Sequence, residues 1–208
     1  MNINIKLLLK SVVVLVSSAG MAFGTTITFD DISASIAGSP PWPALVNGYG
    51  GLNWNNFYVL DGADSPLSGY KAGTVSGKNV AFNYNGTPAL ISASAFNLTS
   101  AYFTAAWNDN LSLEVQGFVG ATLTYDHTYV LSAVSPTLIN FNYAGVDEVN
   151  FISSGGTSHG YGIGGVGTQF AMDNLTINGT SAVPDAGSTS LMLGAALAGL
   201  GVMRRKLA

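Results

Sequence analysis

Cysteine is absent from the chain. That excludes disulfides and thiolate metal sites, so any core must hold without covalent staples. Positive charge is nearly as scarce. Of the seven Lys and Arg in 208 residues, Lys6 and Lys10 lie near the start and Arg204, Arg205 and Lys206 at the end. Only Lys71 and Lys78 fall between them. Ten of the eleven acids, from Asp30 to Asp173, share that middle interval, which gives residues 25–181 a formal balance of −8. Neutralising phosphates takes clustered Lys or Arg, so nucleic acid is not a partner. Histidine is limited to His127 and His159, without the spacing of a zinc site. The middle of the chain has no apolar pattern of 3.6-residue period and no internal repeat, which argues against helices there. Its polar surface must come from Asn, Ser, Thr and Gly, a composition that suits an extracellular β-protein or adhesin.

The two ends are different in kind. Lys6 and Lys10 flank short apolar runs, Leu7–Leu9 and Val12–Val16, and Ala22-Phe23-Gly24 supplies small residues for cleavage. Residues 1–24 read as a signal peptide cut before Thr25; a first membrane helix is the competing reading, but the run is short. Residues 182–208 form a tail in three parts: a polar motif at 183–189, an apolar helix at 190–203 and a basic cluster at 204–206. The apolar run from Leu191 to Met203 gives about 20 Å of helix, and Gly187 to Lys206 about 30 Å if the basic side chains snorkel. Arg204, Arg205 and Lys206 form a membrane stop that holds the last residues in the cytoplasm, so everything before them is exported. A plain tail anchor or a buried helix is the alternative.

The order of these parts resembles the PEP-CTERM class of sorting tails, which exosortase enzymes recognise in Gram-negative bacteria. The motif residues Val183, Pro184, Asp185, Gly187, Ser188 and Thr189 are similar to the VPDSG variant, with Ala186 where that variant often carries Ser. The resemblance covers only the tail, and it implies an address rather than an activity. Its implied partners are signal peptidase and an exosortase-type transpeptidase, with transient anchoring in the inner membrane before release to the cell surface or matrix. Phe29-Asp30-Asp31 and Phe170 to Leu175 also look like segments of other exported domains of this class.

Residues 25–181 read as strands. Thr25–Phe29 alternates and opens the series, and a loop with Ser39-Pro40-Pro41-Trp42-Pro43 follows. Trp54–Leu60 and Val80–Tyr84 are short strands. Ala101, Phe103, Ala105 and Trp107 share a face, and Asn108-Asp109-Asn110 turns. Leu111, Leu113 and Val115 alternate with Ser112, Glu114 and Gln116 as a half-buried strand, and Leu123–Leu131 alternates equally well. Ile139–Tyr143, Val149–Phe151 and Phe170–Ile177 complete the set around a Gly-rich loop at 155–168. The expected fold is all-β: one antiparallel β-sandwich of jelly-roll-like type, with its first and last strands side by side. The apolar phase flips between Met172 and Leu175, which calls for a bulge at Asp173-Asn174.

Two constellations carry the binding expectations. Asp30, Asp31 and Asp173 offer the oxygen ligands of a structural calcium, the one cofactor considered; capped turns are the competing and preferred reading. Trp42 and Tyr58, with Asn56 beside them, offer flat aromatic faces and an amide for a sugar. Trp54 and Trp107 are expected in the core. His127 is expected as a hydrogen-bonded seam residue and His159 as a solvated loop residue. Glu114, Asp147 and Glu148 are not paired by spacing, and paired carboxylates are what glycoside hydrolysis needs, so no catalytic residue is assigned. The expectation is a non-enzymatic structural or adhesive protein associated with exopolysaccharide. A carbohydrate-binding module is the alternative, and an exported polysaccharide hydrolase comes third.

Overall fold

The structure, a computed structural model, describes residues 24–34, 42–162 and 167–178. The signal peptide, the sorting motif, the tail helix and the basic stop expected from the sequence lie outside these residues, apart from Gly24. Among the described residues no helix is long and apolar enough to cross a membrane.

Antiparallel strands dominate. In chain order they are β1 (Thr25–Ile27), β2 (Asn53–Asn55), β3 (Phe57–Asp61), β4 (Asn79–Asn83), β5 (Ala89–Ala105), β6 (Asn108–Asp109), β7 (Leu111–Val119), β8 (Thr122–Leu131), β9 (Thr137–Ser154), β10 (Thr157–Ser158) and β11 (Phe170–Ile177). One short helix, α1 (Gly69–Ala72), sits between β3 and β4. The main sheet runs β3-β4-β11-β5-β9-β7-β8, with β1 added to β11 and β2 to β5. β6 and β10 form a separate two-stranded ribbon.

The long strands β5 and β9 turn this one sheet into two layers. Phe151 is the register partner of Ala89, which lies fourteen positions before Phe103 on β5. A straight strand would hold Ala89 and Phe103 about 46 Å apart at about 3.3 Å per residue. Yet the rings of Phe103 and Phe151 approach to 5.8 Å. The sheet therefore folds over itself. The corner lies where the β5–β9 register shifts between Ser92 and Ser100. There Asn142 and Gly145 of β9 take positive φ values of 54° and 65°, the bends that let a pleated strand change layer. Asn97 fixes the corner: its side-chain oxygen accepts from the Gly145 N–H at 2.9 Å. One layer comprises β3, β4, β11 and the later half of β5 with the earlier half of β9. The other comprises β2, the opposite halves of β5 and β9, then β7 and β8.

Between the layers Phe57, Phe103, Phe151 and Phe170 contact one another with ring centroids 5.5–6.2 Å apart. All four are buried, each contributing about 1.5–3 kcal/mol. β7 follows its sequence pattern, with Leu111, Leu113 and Val115 buried and Ser112, Glu114 and Gln116 half-buried. β1 pairs with β11 as expected, Thr25 opposite Ile177 and Ile27 opposite Leu175. The expected bulge is also present: the β11–β5 register shifts after Asp173, and Asn174 has φ 52°.

β8 departs from its pattern. Leu131 is its buried residue, and Leu123, Tyr125 and Tyr129 stay partly or largely exposed. β8 ends the sheet, beyond the part of the facing layer that would cover its inner face. The β3 edge is handled otherwise. Pro43 to Leu45 runs along it, with a bridge between Ala44 and Tyr58, and the Leu45 N–H donates to the Phe57 carbonyl at 2.8 Å.

A second apolar cluster covers the outer face of β3, β4 and β11. Leu60, Tyr70, Val80, Phe82, Ala106 and Ala171 are buried there. α1 helps to cover them because Gly69 lets it come close: a Cβ at Gly69 would collide with the Ala105 carbonyl, and the Gly69 N–H donates to Ala106 O at 2.8 Å.

Candidate functional site

On the outer face of β3 and β4, side-chain parity collects aromatic rings. Tyr58 and Phe82 are register partners, and Tyr84 follows Phe82 by two positions. Trp42 arrives on the segment that covers the β3 edge. Trp42, Tyr58 and Tyr84 are half-buried against the outer cluster. Trp42 meets Phe82 edge-on at 5.5 Å and Tyr84 at 6.4 Å, and Tyr58 lies 4.7 Å from Tyr84 at a tilt of 32°. The structure thus brings Trp42 and Tyr58 together, as the sugar-contact expectation requires. It adds Tyr84, whose place on the Val80–Phe82 parity was a usable signal in the sequence.

Asn56 has another task. With φ 58°, it turns its amide nitrogen toward the carbonyls of Tyr84, Thr87 and Pro88 and the Thr87 hydroxyl, at 2.8–3.2 Å. It staples the 84–88 turn, so its N–H donors are spent within the fold.

Of the expected core tryptophans, Trp54 is buried and donates its indole N–H to Tyr49 O at 2.8 Å. Trp107 is not in the main core. It belongs to the outer cluster, half-buried, edge-on to Tyr70 at 5.5 Å, because the chain leaves the β5 ladder at Ala105 and loses its strand parity. Trp107 forms one wall of a cleft of about 420 Å³, lined also by Ser65, Pro66, Leu67, Tyr161 and Gly162. His159 is exposed, as expected of a loop residue, and is also engaged: its backbone N–H donates to Trp107 O at 2.9 Å, and its Nδ1 lies 2.6 Å from Asp109 Oδ2. That hydrogen bond holds the Asp109 carboxyl below the usual carboxylate range. Tyr161 donates to Ala133 O at 2.6 Å, and burial pushes its hydroxyl pKa up. His127 lies at a seam, its Nδ1 3.0 Å from the Tyr143 hydroxyl, although the residue is exposed.

The acids expected to share an ion are spent on a loop. Asp30 Oδ1 accepts from the N–H groups of Lys78 and Asn79 at 2.8 and 3.0 Å. Asp173 Oδ2 accepts from Val75 and Ser76 at 2.8 and 2.9 Å, and its Oδ1 from Asn174 at 2.7 Å. Asp31 accepts from the Tyr49 hydroxyl at 2.7 Å. The loop between β4 and α1 is thus held at both ends, with Gly77 at φ 50° between the two carboxylates' donors; a Cβ there would strike Asp30. Among the described residues no three His, Asp or Glu gather to hold a metal ion. The Asp30 and Asp173 oxygens cap backbone N–H groups, as the preferred capped-turn reading has it. Burial pushes the Asp173 carboxyl above its ordinary range, against the pull of the N–H donors and with a further push from Asp30. Elsewhere Glu114 accepts from Gln116 at 2.6 Å and Asp147 from the Gly120 N–H at 2.6 Å; in these contacts neither meets a second carboxylate.

Comparison with known proteins adds one identification. Residues 182–207 match the VPDSG-CTERM motif, a PEP-CTERM-like exosortase sorting tail, which implies export and surface association. No curated protein matches the chain. Among solved structures it is similar to TmCBM61 in complex with β-1,4-galactotriose, at 8% identity over 61% of this chain and 86% of that one, with a TM-score of 0.34. It is also similar to the carbohydrate-binding module CBM6cm-2 from Cellvibrio mixtus lichenase 5A in complex with cellotriose, at 20% identity over 49% and 72%, TM-score 0.24. A third similarity is to the M60 catalytic domain with the CBM51-1 and CBM51-2 domains from Clostridium perfringens ZmpB, at 9% identity over 76% of this chain and 16% of that one, TM-score 0.31. At these TM-scores none of the three bears on what this chain binds.

Proposed function

We propose that this chain, exported under a VPDSG-CTERM-type tail, is a structural or adhesive component of the surface or matrix of a Gram-negative bacterium, and that it rests on exopolysaccharide through the outer face of β3 and β4. In this reading signal peptidase and an exosortase-type transpeptidase process it, and the tail holds it in the inner membrane only in transit. The observation that carries the contact is the grouping of Trp42 and Tyr58 about Tyr84, three half-buried rings outside the main core. Such rings offer flat apolar faces to the C–H side of a pyranose. The exported part has two Lys, no Arg and ten acids, so its ligand is a neutral glycan rather than an anionic one. One sugar on one ring gives roughly millimolar affinity, near −4 kcal/mol. Many copies at a surface raise this by avidity.

A discrete carbohydrate-binding module is the second reading. The cleft between Leu67, Trp107 and Tyr161 favours it, since a walled cleft selects a ligand where an open face only adheres. Retention of the protein on immobilised neutral polysaccharide tests both. Trp42→Ala and Tyr84→Ala are expected to shorten retention while leaving the melting temperature nearly unchanged, with little effect of moderate salt. Loss confined to Trp107→Ala would select the module. Unfolding by Trp42→Ala would make that ring a cover for Phe82 and remove the proposed contact.

A further inference from the structure

We propose that β8 is a self-association edge, at which a second copy of this chain pairs antiparallel with the first. Among the described residues β8 pairs on one side only, with β7. Alternate residues along such a strand direct N–H and C=O groups outward, ready for another strand. Folded proteins blunt long edges with Lys, Pro, bulges or a covering segment. The opposite edge, β3, has its covering segment at Pro43–Leu45. β8 has no Lys, Arg or Pro. Its bulge lies near one end: Gly117 pairs with Tyr125 and Phe118 with Leu123, leaving Thr124 extra. From Tyr125 to Leu131 the strand pairs residue for residue with β7, an open and regular run.

The occupant follows from this run's self-complementarity. Two copies related by a two-fold axis normal to the sheet keep inner faces with inner faces. With the axis at Thr128, the middle of the run, Thr128 faces Thr128, His127 faces Tyr129, Asp126 faces Val130 and Tyr125 faces Leu131. The threonine pair, the aromatic pair and the Tyr125–Leu131 pair are favourable, Asp126 opposite Val130 is not among these, and no like charges oppose. An axis at Asp126 would oppose two carboxylates, and an axis at His127 would run the pairing into the bulge. Asp126 is the one acid on β8 among the ten of the exported part, and Glu114 stands beside Thr128 one strand in, on β7. The rim of β8 itself carries exposed large apolar side chains, Leu123 at 44% and Val130 at 64%. Pairing would cover part of this rim.

The absence of cysteine makes the test direct. Facing side chains in such a pair have Cβ atoms about 4.5–5.5 Å apart, close to the separation of about 3.5–4.5 Å that a disulfide takes. The full chain carrying Thr128→Cys, expressed in host membranes and treated with a mild oxidant, is expected to run at twice its mass on a non-reducing gel and to return to single mass with reductant. Asp126→Cys, and Ser94→Cys on the exposed side of β5, are expected to stay at single mass. Adding Val130→Asp to Thr128→Cys should abolish the doubled species, because it sets a second carboxylate directly opposite Asp126 on each side of the axis. Single mass for Thr128→Cys overturns the proposal. Equal cross-linking by Ser94→Cys means collision in the membrane and overturns it too. Cross-linking by Asp126→Cys without Thr128→Cys overturns the two-fold at Thr128.

Discussion

At the scale of single residues, the informative one is Asp173. It is a fully buried carboxylate with three backbone N–H donors. Burial outweighs those donors, so its proton is held more tightly in the folded chain than in the unfolded one. Folding then takes up a proton, and the Asp173 contribution to stability falls as pH rises from the ordinary carboxylate value, about 3.9, through its raised folded value. Asp173→Asn does not titrate. The gap in melting temperature between wild type and this variant is therefore expected to narrow as pH rises across that window; a gap that widens would mean the donors outweigh burial. Millimolar calcium is expected to leave both melting curves unshifted. A rise seen in the wild type and lost in the variant would return Asp30, Asp31 and Asp173 to an ion site by mass action.

Among the elements, α1 depends on one close approach. Gly69→Ala drives a methyl into the Ala105 carbonyl, so the helix must lift from β5. The expected cost is about 1–3 kcal/mol, as for other overpacked sites. For a domain of this size that lowers the melting temperature by about 2–4 °C per kcal/mol, readable by calorimetry. Neither α1 nor the full length of β5 could be read from the sequence. Ser92 to Ala95 has no apolar alternation, and the register shifts between Ser92 and Ser100 change the parity that would otherwise mark a strand. The bend at Asn142 and Gly145 likewise splits β9 into two apparent strands, Ile139–Tyr143 and Val149–Phe151. A bulge was legible where strong apolar residues flank it, as at Met172 and Leu175. β8 shows the converse limit: its alternation was read correctly, but no periodicity says where the facing layer ends. In the candidate site, the nearness of Trp42 to Tyr58, through Phe82 and Tyr84, was legible as a local aromatic cluster. The roles of Asn56 and Trp107 depend on a turn and on a departure from the ladder, which sequence spacing does not carry.

At the scale of the whole molecule, the chain divides into an exported sandwich and a sorting tail. If the VPDSG-CTERM tail is processed, mature protein from the native host is expected to lack the Leu191–Met203 peptide in mass spectrometry, and replacing Pro184 and Asp185 with Ala should leave uncleaved precursor in membranes. Mature protein still ending at Ala208 would leave the simple tail anchor. The place where that tail joins the sandwich has a mechanical consequence. β11, the last strand, lies inside the sheet, bonded to β5 on one side and to β4 and β1 on the other. Its ladder bonds run across the strand axis. Tension drawn through the tail pulls β11 along that axis, so the bonds on both flanks must slide together instead of parting one after another from an end. For as long as the tail is held, the domain would hang from it by a strand loaded in shear, the geometry of a coupling that resists drag.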